Sequence, residues 1–133
     1  MRIKLAIFDL DQTLIDTLHR FYRVFNKTLR KYGLPEIEWN FFIEKYKKDD
    51  LDSLVPPQFS IDEFWDTFLR IYDEESFEDD MIIKGAKDCL SFLNEMGVKV
   101  IVVTGRKSPK EKVWENLRYH GLDSYVSEVY TAE

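Results

Sequence analysis

The chain has 133 residues and a net charge of −6, and 44% of its residues are hydrophobic and 33% charged. This length suits one globular domain and is short for an α/β core together with a second domain, while the acidic charge excludes a typical nucleic-acid-binding protein and leaves small phosphorylated metabolites as compatible partners. Because the sequence has no apolar run long enough to span a bilayer and no basic leader, we expect a soluble cytoplasmic protein with no membrane partner.

The first predicted element is a strand at Leu5–Phe8, a continuous apolar run bounded by charge. This pattern is typical of a parallel strand buried on both faces. Asp9 and Asp11 follow it, and like charges this close are costly unless a cation lies between them. Ligands of open α/β sheets collect at the carboxyl ends of strands. The stretch therefore predicts a metal site at the end of this strand.

The spacing of Asp9, Asp11, Thr13 and Asp16 after a buried strand resembles the first motif of the haloacid dehalogenase-like (HAD) hydrolases. The resemblance implies a Rossmann-like parallel-sheet α/β core in which Asp9 attacks a phosphoryl group and Asp11 is the acid and base. It also implies Mg²⁺ as cofactor, with Asp9 and Asp11 as metal ligands. One departure is Gln12, at a position where this family often has Gly.

The alternative interpretations of these acidic residues are a solvated acidic turn or half of a calcium-binding loop. An EF-type loop needs Gly at its sixth position and Glu at its twelfth. Counted from Asp9, these positions hold Leu14 and Arg20. The calcium-loop alternative therefore fails.

Three predicted helices and no strand signal occupy residues 17–80. The first follows Asp16 and ends near Gly33, the second covers Ile37–Tyr46 more weakly, and the third begins with a capping box of Ser60 and Glu63. The insert resembles the helical cap of the HAD subgroup whose lid follows the first strand, although the helices could simply pack on the core sheet. We expect an α/β core at residues 1–16 and 81–133 and a cap at 17–80.

The next predicted helix begins at Gly85, with Cys89 and Met96 among its inward residues, and we expect Cys89 to be a core thiol. A strand at Val98–Val103 then leads into Thr104-Gly105-Arg106, which resembles the second HAD motif. The resemblance implies that these three residues bind the substrate phosphate, with the Thr104 hydroxyl and the following N–H groups as uncharged donors. For Arg106, an ordinary salt-bridge role stays open.

The last predicted elements are a helix after a capping box of Ser108 and Glu111 and a strand at Tyr125–Tyr130. His120 falls in the last turn of that helix, where a histidine more often neutralises the helix end than performs catalysis. His19 lies just after the first motif, and we expect a surface or hinge role for it.

Two parts of the HAD pattern would come after Glu133: a Lys that balances the charge of nucleophile and phosphate, and an acidic pair that completes the Mg²⁺ site. We therefore expect either a truncated product or a site completed by another chain. The family's strand order also leaves residues 5–9 as an open edge, which invites self-association.

The predicted function is Mg²⁺-dependent hydrolysis of small phosphate esters through an aspartyl-phosphate intermediate. We expect the 133-residue chain alone to be weak or inactive. A catalytically dead HAD-like fragment that acts through binding or assembly is the alternative, and phosphomutase activity is a further one.

Overall fold

A computed structural model describes residues 2–133 of the chain. The elements are short strands and helices of 9 to 14 residues. In chain order they are β1 (Leu5–Phe8), β2 (Ile15–Asp16), α1 (Leu18–Lys31), α2 (Trp39–Lys47), α3 (Ile61–Glu74), β3 (Met81–Ile82), α4 (Ala86–Glu95), β4 (Lys99–Val103), α5 (Lys110–Tyr119) and β5 (Glu128–Tyr130), with 3₁₀ turns at Leu51–Leu54 and Asp123–Tyr125.

The chain divides into two compact units. One unit combines Met1–Leu18 with Ser76–Glu133 and holds all five strands, and the other is His19–Glu75 and is helical. Among the helices of residues 2–133, none is long and apolar enough to cross a membrane.

The main sheet of the first unit is parallel, with the strand order β1-β4-β5. The register aligns Phe8 with Val102, and Val102 with Val129. Helices α4 and α5 pack on the face that carries these residues, and together they form the buried core of this unit: Leu10, Leu14, Ile15, Ala86, Leu90, Val100, Val102, Val113, Leu117, Leu122, Val126 and Val129. This parallel α/β architecture confirms the predicted fold class.

The opposite face of the main sheet is partly open, so the prediction that Leu5–Phe8 is buried on both faces is wrong. Leu5 is 45% exposed and Ile7 63% exposed, because the helices of this unit cover only the face that carries their neighbours Ala6 and Phe8. Among the described residues, β1 pairs with β4 alone. The predicted open edge at β1 is therefore confirmed for this part of the chain.

Two short strands were missed by the sequence analysis. Strands β2 and β3 form an antiparallel pair in which Ile15 aligns with Ile82 and Asp16 with Met81. The chain therefore leaves the first unit and re-enters it on adjacent strands. Two-residue strands carry no periodicity, which explains why a pattern search does not detect them.

Two side-chain predictions in the second half of the chain are wrong. Cys89 is exposed and Met96 is 66% exposed, because α4 directs Ala86 and Leu90 to the core and turns its flanks to solvent. Helix α5 begins one residue later than expected, since Pro109 is its N-cap residue and not its first helical residue. By contrast, Ser60 accepts a hydrogen bond from the Glu63 N–H (3.3 Å), which confirms the start of α3.

The helical unit has an aromatic core. Phe25, Phe42 and Phe64 are fully buried, and the Phe21 and Phe68 rings lie 4.7 Å apart between centroids. Apolar stripes at helical spacing on α1 and α3 meet in this core, which accounts for the stability of a unit that has no sheet.

Candidate active site

The loop after β1 is a tight turn built around one buried carbonyl group. Leu10 is fully buried, and its carbonyl oxygen accepts hydrogen bonds from the N–H groups of Thr13 (3.2 Å), Leu14 (3.0 Å) and Ile15 (3.2 Å). This turn brings Asp9 and Asp11 to the carboxyl end of the strand in a fixed loop. Backbone hydrogen bonds alone thus fix the loop positions from which the two carboxylates project.

Gln12 adopts a left-handed backbone conformation in this turn, with φ +63°. For a residue with a Cβ this conformation costs roughly 1–2 kcal/mol. Its N–H donates to the Ile15 carbonyl (2.8 Å), and its side-chain amide lies 3.2 Å from Thr17 Oγ1. Gln12 therefore occupies the position of this loop whose left-handed backbone conformation Gly would adopt without strain.

Asp9 is exposed at the end of β1. Its Oδ1 accepts a hydrogen bond from the N–H of Leu10 (2.9 Å). Within residues 2–133, its Oδ2 accepts none, so this oxygen is open to an incoming group. An exposed carboxylate held by one backbone donor is suited to act as a nucleophile or a metal ligand.

Asp11 is held by two side chains from different parts of the first unit. Thr17 Oγ1 donates to Asp11 Oδ1 (2.9 Å), and Arg106 Nη2 lies 2.5 Å from the same oxygen. Arg106 Nε donates to Asp11 Oδ2 at 3.3 Å. The loop after β1 and the loop after β4 are thereby joined through a single carboxylate.

The loop after β4 is fixed by backbone hydrogen bonds. The Thr104 N–H donates to the Tyr130 carbonyl (3.0 Å), and the Ala132 N–H donates to the Arg106 carbonyl (2.9 Å). Thr104 Oγ1 accepts from the Arg106 N–H (3.2 Å), and its own proton has no acceptor among the described residues. A Cβ built on Gly105 would meet nothing within 4 Å, so there is open space beside this loop.

The two histidines are occupied by other contacts. The His19 ring stacks on Trp39 with centroids 4.4 Å apart, and His120 Nδ1 lies 2.9 Å from the Asn116 carbonyl oxygen at the end of α5. In the helical unit, a hydrogen bond from Lys45 lowers the pKa of Asp50.

Thr17 is the site residue that sequence reasoning missed. It is 2% exposed and lies between β2 and α1, six residues after the carboxylate that it contacts. In the sequence it marked only the start of the helical insert. A buried threonine directly after a metal-binding or catalytic loop is the signal that could have identified it.

The candidate site offers oxygen ligands, the type that Mg²⁺ prefers, but only a few of them. No group of three or more His, Cys, Asp or Glu side chains able to hold a metal occurs within residues 2–133. What the site offers is the Asp9 carboxylate and the Asp11 backbone carbonyl, which accepts no backbone hydrogen bond in the described loop. Mg²⁺ prefers oxygen ligands, keeps several waters and often binds one or two carboxylates with substrate phosphate.

A family model described as haloacid dehalogenase-like hydrolase matches residues 6–133. The chain belongs to this family. The match includes both strand-end loops that carry Asp9, Asp11 and Thr104, and it confirms the resemblance drawn from the sequence.

Individual relatives agree with the family. The curated protein "Putative pyrophosphatase PpaX" from Caldanaerobacter subterraneus subsp. tengcongensis is 32% identical over 129 residues, which cover 94% of this chain and 56% of that protein. The chain thus spans a little over half of this relative's length.

Solved structures share the fold. A predicted phosphoglycolate phosphatase from Haemophilus somnus 129PT aligns with a TM-score of 0.75 and 21% identity, over 100% of this chain and 64% of that one. The HAD-like protein SP0104 from Streptococcus pneumoniae gives a TM-score of 0.78 and 17% identity, over 98% of this chain and 62% of that one.

Proposed function

We propose that the chain carries the catalytic site of a phosphohydrolase for small phosphate esters, in which Asp9 is the nucleophile and Asp11 the general acid and base. The observation that carries this proposal is the contact between Asp11 and Arg106, which joins the two strand-end loops at one carboxylate. Phosphoryl transfer needs a nucleophile, a proton carrier and donors for the equatorial oxygens in one place. Asp9, Asp11 and Thr104 are candidates for these three roles.

In the first step, the free Oδ2 of Asp9 attacks phosphorus and the bond to the leaving oxygen breaks. Asp11, in its protonated form, gives its proton to that oxygen, so an alcohol leaves and an aspartyl phosphate remains. In the second step, Asp11 takes a proton from water, whose oxygen attacks phosphorus and releases inorganic phosphate and the Asp9 carboxylate. After the two steps, Asp11 is protonated again and Asp9 is again a free carboxylate.

Thr104 and Gly105 are the proposed ligands of the transferring phosphoryl group. The Thr104 oxygen accepts from the Arg106 N–H, and no described residue accepts the hydroxyl proton, so this proton is available to a phosphoryl oxygen. Preorganised neutral donors stabilise the charge on the phosphoryl oxygens without adding repulsion. The open space at Gly105 leaves room for the phosphoryl group to approach this backbone.

Mg²⁺ is the proposed cofactor, held by the Asp9 carboxylate and the Asp11 backbone carbonyl. When bound, the metal would offset the negative charges of nucleophile and phosphate. Because the described residues offer a small donor set, we propose that the 133-residue chain binds Mg²⁺ weakly and turns over slowly. This scarcity is also what favours the second candidate, a HAD-like fragment that acts only through binding or assembly.

The helical unit His19–Glu75 is the proposed cap, because it is inserted between β2 and β3 and has a core of its own. The names of two similar proteins are those of a pyrophosphatase and a phosphoglycolate phosphatase. Both names denote hydrolysis of small phosphorylated compounds, which supports this substrate class for the present chain. We also propose a cytoplasmic location, which suits such metabolites.

The proposed partner at the β1 edge is a second copy of the chain. The exposed side chains of Ile3, Leu5 and Ile7 form an apolar row along this edge strand. Basic Arg2 and Lys4 precede the strand and acidic Asp9 and Asp11 follow it. Antiparallel pairing of two copies would therefore place opposite charges side by side, whereas parallel pairing would align like charges.

Hydrolysis of p-nitrophenyl phosphate with Mg²⁺ tests the proposed enzyme activity. We expect slow turnover by the wild-type chain and none by Asp9→Asn. The matched control is Asp88→Asn, which makes the same charge change at an exposed position on α4. Turnover that persists in Asp9→Asn would refute the nucleophile, and no turnover by the wild type at any Mg²⁺ concentration would favour the binding-only fragment.

A further inference from the structure

The Arg106 side chain contacts a carboxylate of the candidate site. The resemblance to the second HAD motif predicts that it binds the substrate phosphate. In the structure its guanidinium group instead contacts both oxygens of Asp11, with Nη2 at 2.5 Å from Oδ1 and Nε at 3.3 Å from Oδ2. Such two-point contact uses the planar geometry that distinguishes Arg from Lys.

Burial keeps the Arg106 side chain in this place. Its side chain is 8% exposed, whereas that of Asp11 is 32% exposed. Moving a buried guanidinium away from its carboxylate leaves the charge in a poorly solvated environment, which is unfavourable. The backbone is fixed as well, since Arg106 is tied to Thr104 Oγ1 through its N–H and to Ala132 through its carbonyl.

Thr17 supports the same carboxylate from another direction. Its hydroxyl donates to Asp11 Oδ1 at 2.9 Å, and the residue is 2% exposed. Oδ1 therefore has two close donors, whereas Oδ2 has one longer contact. Of the two oxygens, Oδ2 is therefore held less closely by the protein.

We propose that Arg106 and Thr17 are positioning residues that hold the Asp11 carboxylate in a fixed orientation, and that Arg106 does not bind the substrate phosphate. This inference rests on the proposed function for its catalytic consequence. The contacts themselves do not depend on turnover. They can therefore be tested separately.

The kinetic test compares two esters that differ in their need for a proton. The p-nitrophenolate ion leaves readily without protonation, whereas the alkoxide of ethyl phosphate does not. We expect Arg106→Met and Thr17→Val to lower kcat/KM about 10-fold or more on ethyl phosphate, because misplaced general acids lose part of a 10²–10⁴-fold effect. On p-nitrophenyl phosphate the loss in kcat/KM, which reports the first step alone, should be clearly smaller.

The control for the kinetic test is Lys107→Met, which removes one positive charge from an exposed neighbour of Arg106. It should match the wild type on both esters. A rise in KM of equal size on both esters in Arg106→Met, with kcat preserved, would overturn the inference by identifying Arg106 as a phosphate ligand. Equal losses in kcat/KM on both esters would overturn it as well.

The binding test uses the ¹⁵N NMR signal of Arg106 Nε and needs no turnover. We expect slow hydrogen exchange at this Nε–H in the wild type, fast exchange in Asp11→Ala, and no response to inorganic phosphate with Mg²⁺. A signal that moves on phosphate addition, or that is unaffected by Asp11→Ala, would overturn the inference. Absence of activity together with the expected NMR result would instead count against the proposed function alone.

Discussion

Two buried threonines allow the contact between Thr17 and Asp11 to be measured as a free energy. Thr17 and Thr28 are 2% and 0% exposed, and each donates its hydroxyl to one acceptor. The acceptor of Thr17 is the Asp11 carboxylate at 2.9 Å, and that of Thr28 is the Val24 carbonyl at 2.8 Å, one turn back in α1. Substitution of either threonine by Val keeps the branched shape of the side chain and replaces the hydroxyl by a methyl group.

The expected costs differ because the acceptors differ. A hydrogen bond to a charged group contributes roughly 1.5–3 kcal/mol, but Asp11 keeps Arg106 and stays partly hydrated, so Thr17→Val should cost about 1–1.5 kcal/mol. The Val24 carbonyl lies inside α1, where a threonine hydroxyl adds a bond that slightly disfavours the helix. Thr28→Val should therefore change the free energy of unfolding by less than about 0.5 kcal/mol.

Urea unfolding with a double-mutant cycle measures this contact. The cycle combines Thr17→Val with Asp11→Ala, which removes the acceptor, and we expect a coupling free energy of about 1 kcal/mol. A parallel cycle of Thr28→Val with Asp11→Ala should give a value near zero. If Thr17 shows no coupling, or if the two threonines couple equally to Asp11, the argument that Thr17 holds this carboxylate is refuted.

Three further predictions concern the loop, the metal and the edge strand. Gln12→Gly should leave the free energy of unfolding within about 1 kcal/mol of the wild type or raise it, because relief of the left-handed strain offsets the greater chain entropy of Gly; a clear destabilisation in urea would contradict this. Calorimetry should detect only weak Mg²⁺ binding by the 133-residue chain, and tight binding would mean that carboxylates beyond Asp9 complete the site. Light scattering should show self-association that Ile7→Lys abolishes and Tyr130→Lys, on the other edge of the same sheet, does not; a wild-type monomer would exclude the proposed pairing.

The parts of the fold that follow from apolar periodicity could be predicted. The strand before Asp9, the strand before Thr104 and the helix that begins after Ser60 all lie where the pattern indicates. These segments are long enough to repeat a pattern several times. Their position relative to charged residues also located both loops of the candidate site.

The remaining features depend on contacts between distant residues. The pairing of β2 with β3 joins residues 15–16 to 81–82, and no local pattern of two residues encodes it. The exposure of Ile7 and Met96 depends on which faces the helices cover, which hydrophobicity alone does not give. The contact between Arg106 and Asp11 joins residues 95 positions apart in the sequence. Each residue lies in its own strand-end motif, and neither motif indicates that the two side chains contact each other.

The most direct test of the central claim is mass spectrometry of the acid-quenched chain after incubation with p-nitrophenyl phosphate and Mg²⁺. The account predicts one phosphoryl group on Asp9. Asp11→Asn should retain this adduct for longer, because its amide cannot take a proton from the attacking water, and Asp9→Asn should carry none. A phosphoryl group on any other residue, or none at all while the wild type turns over, would contradict the account.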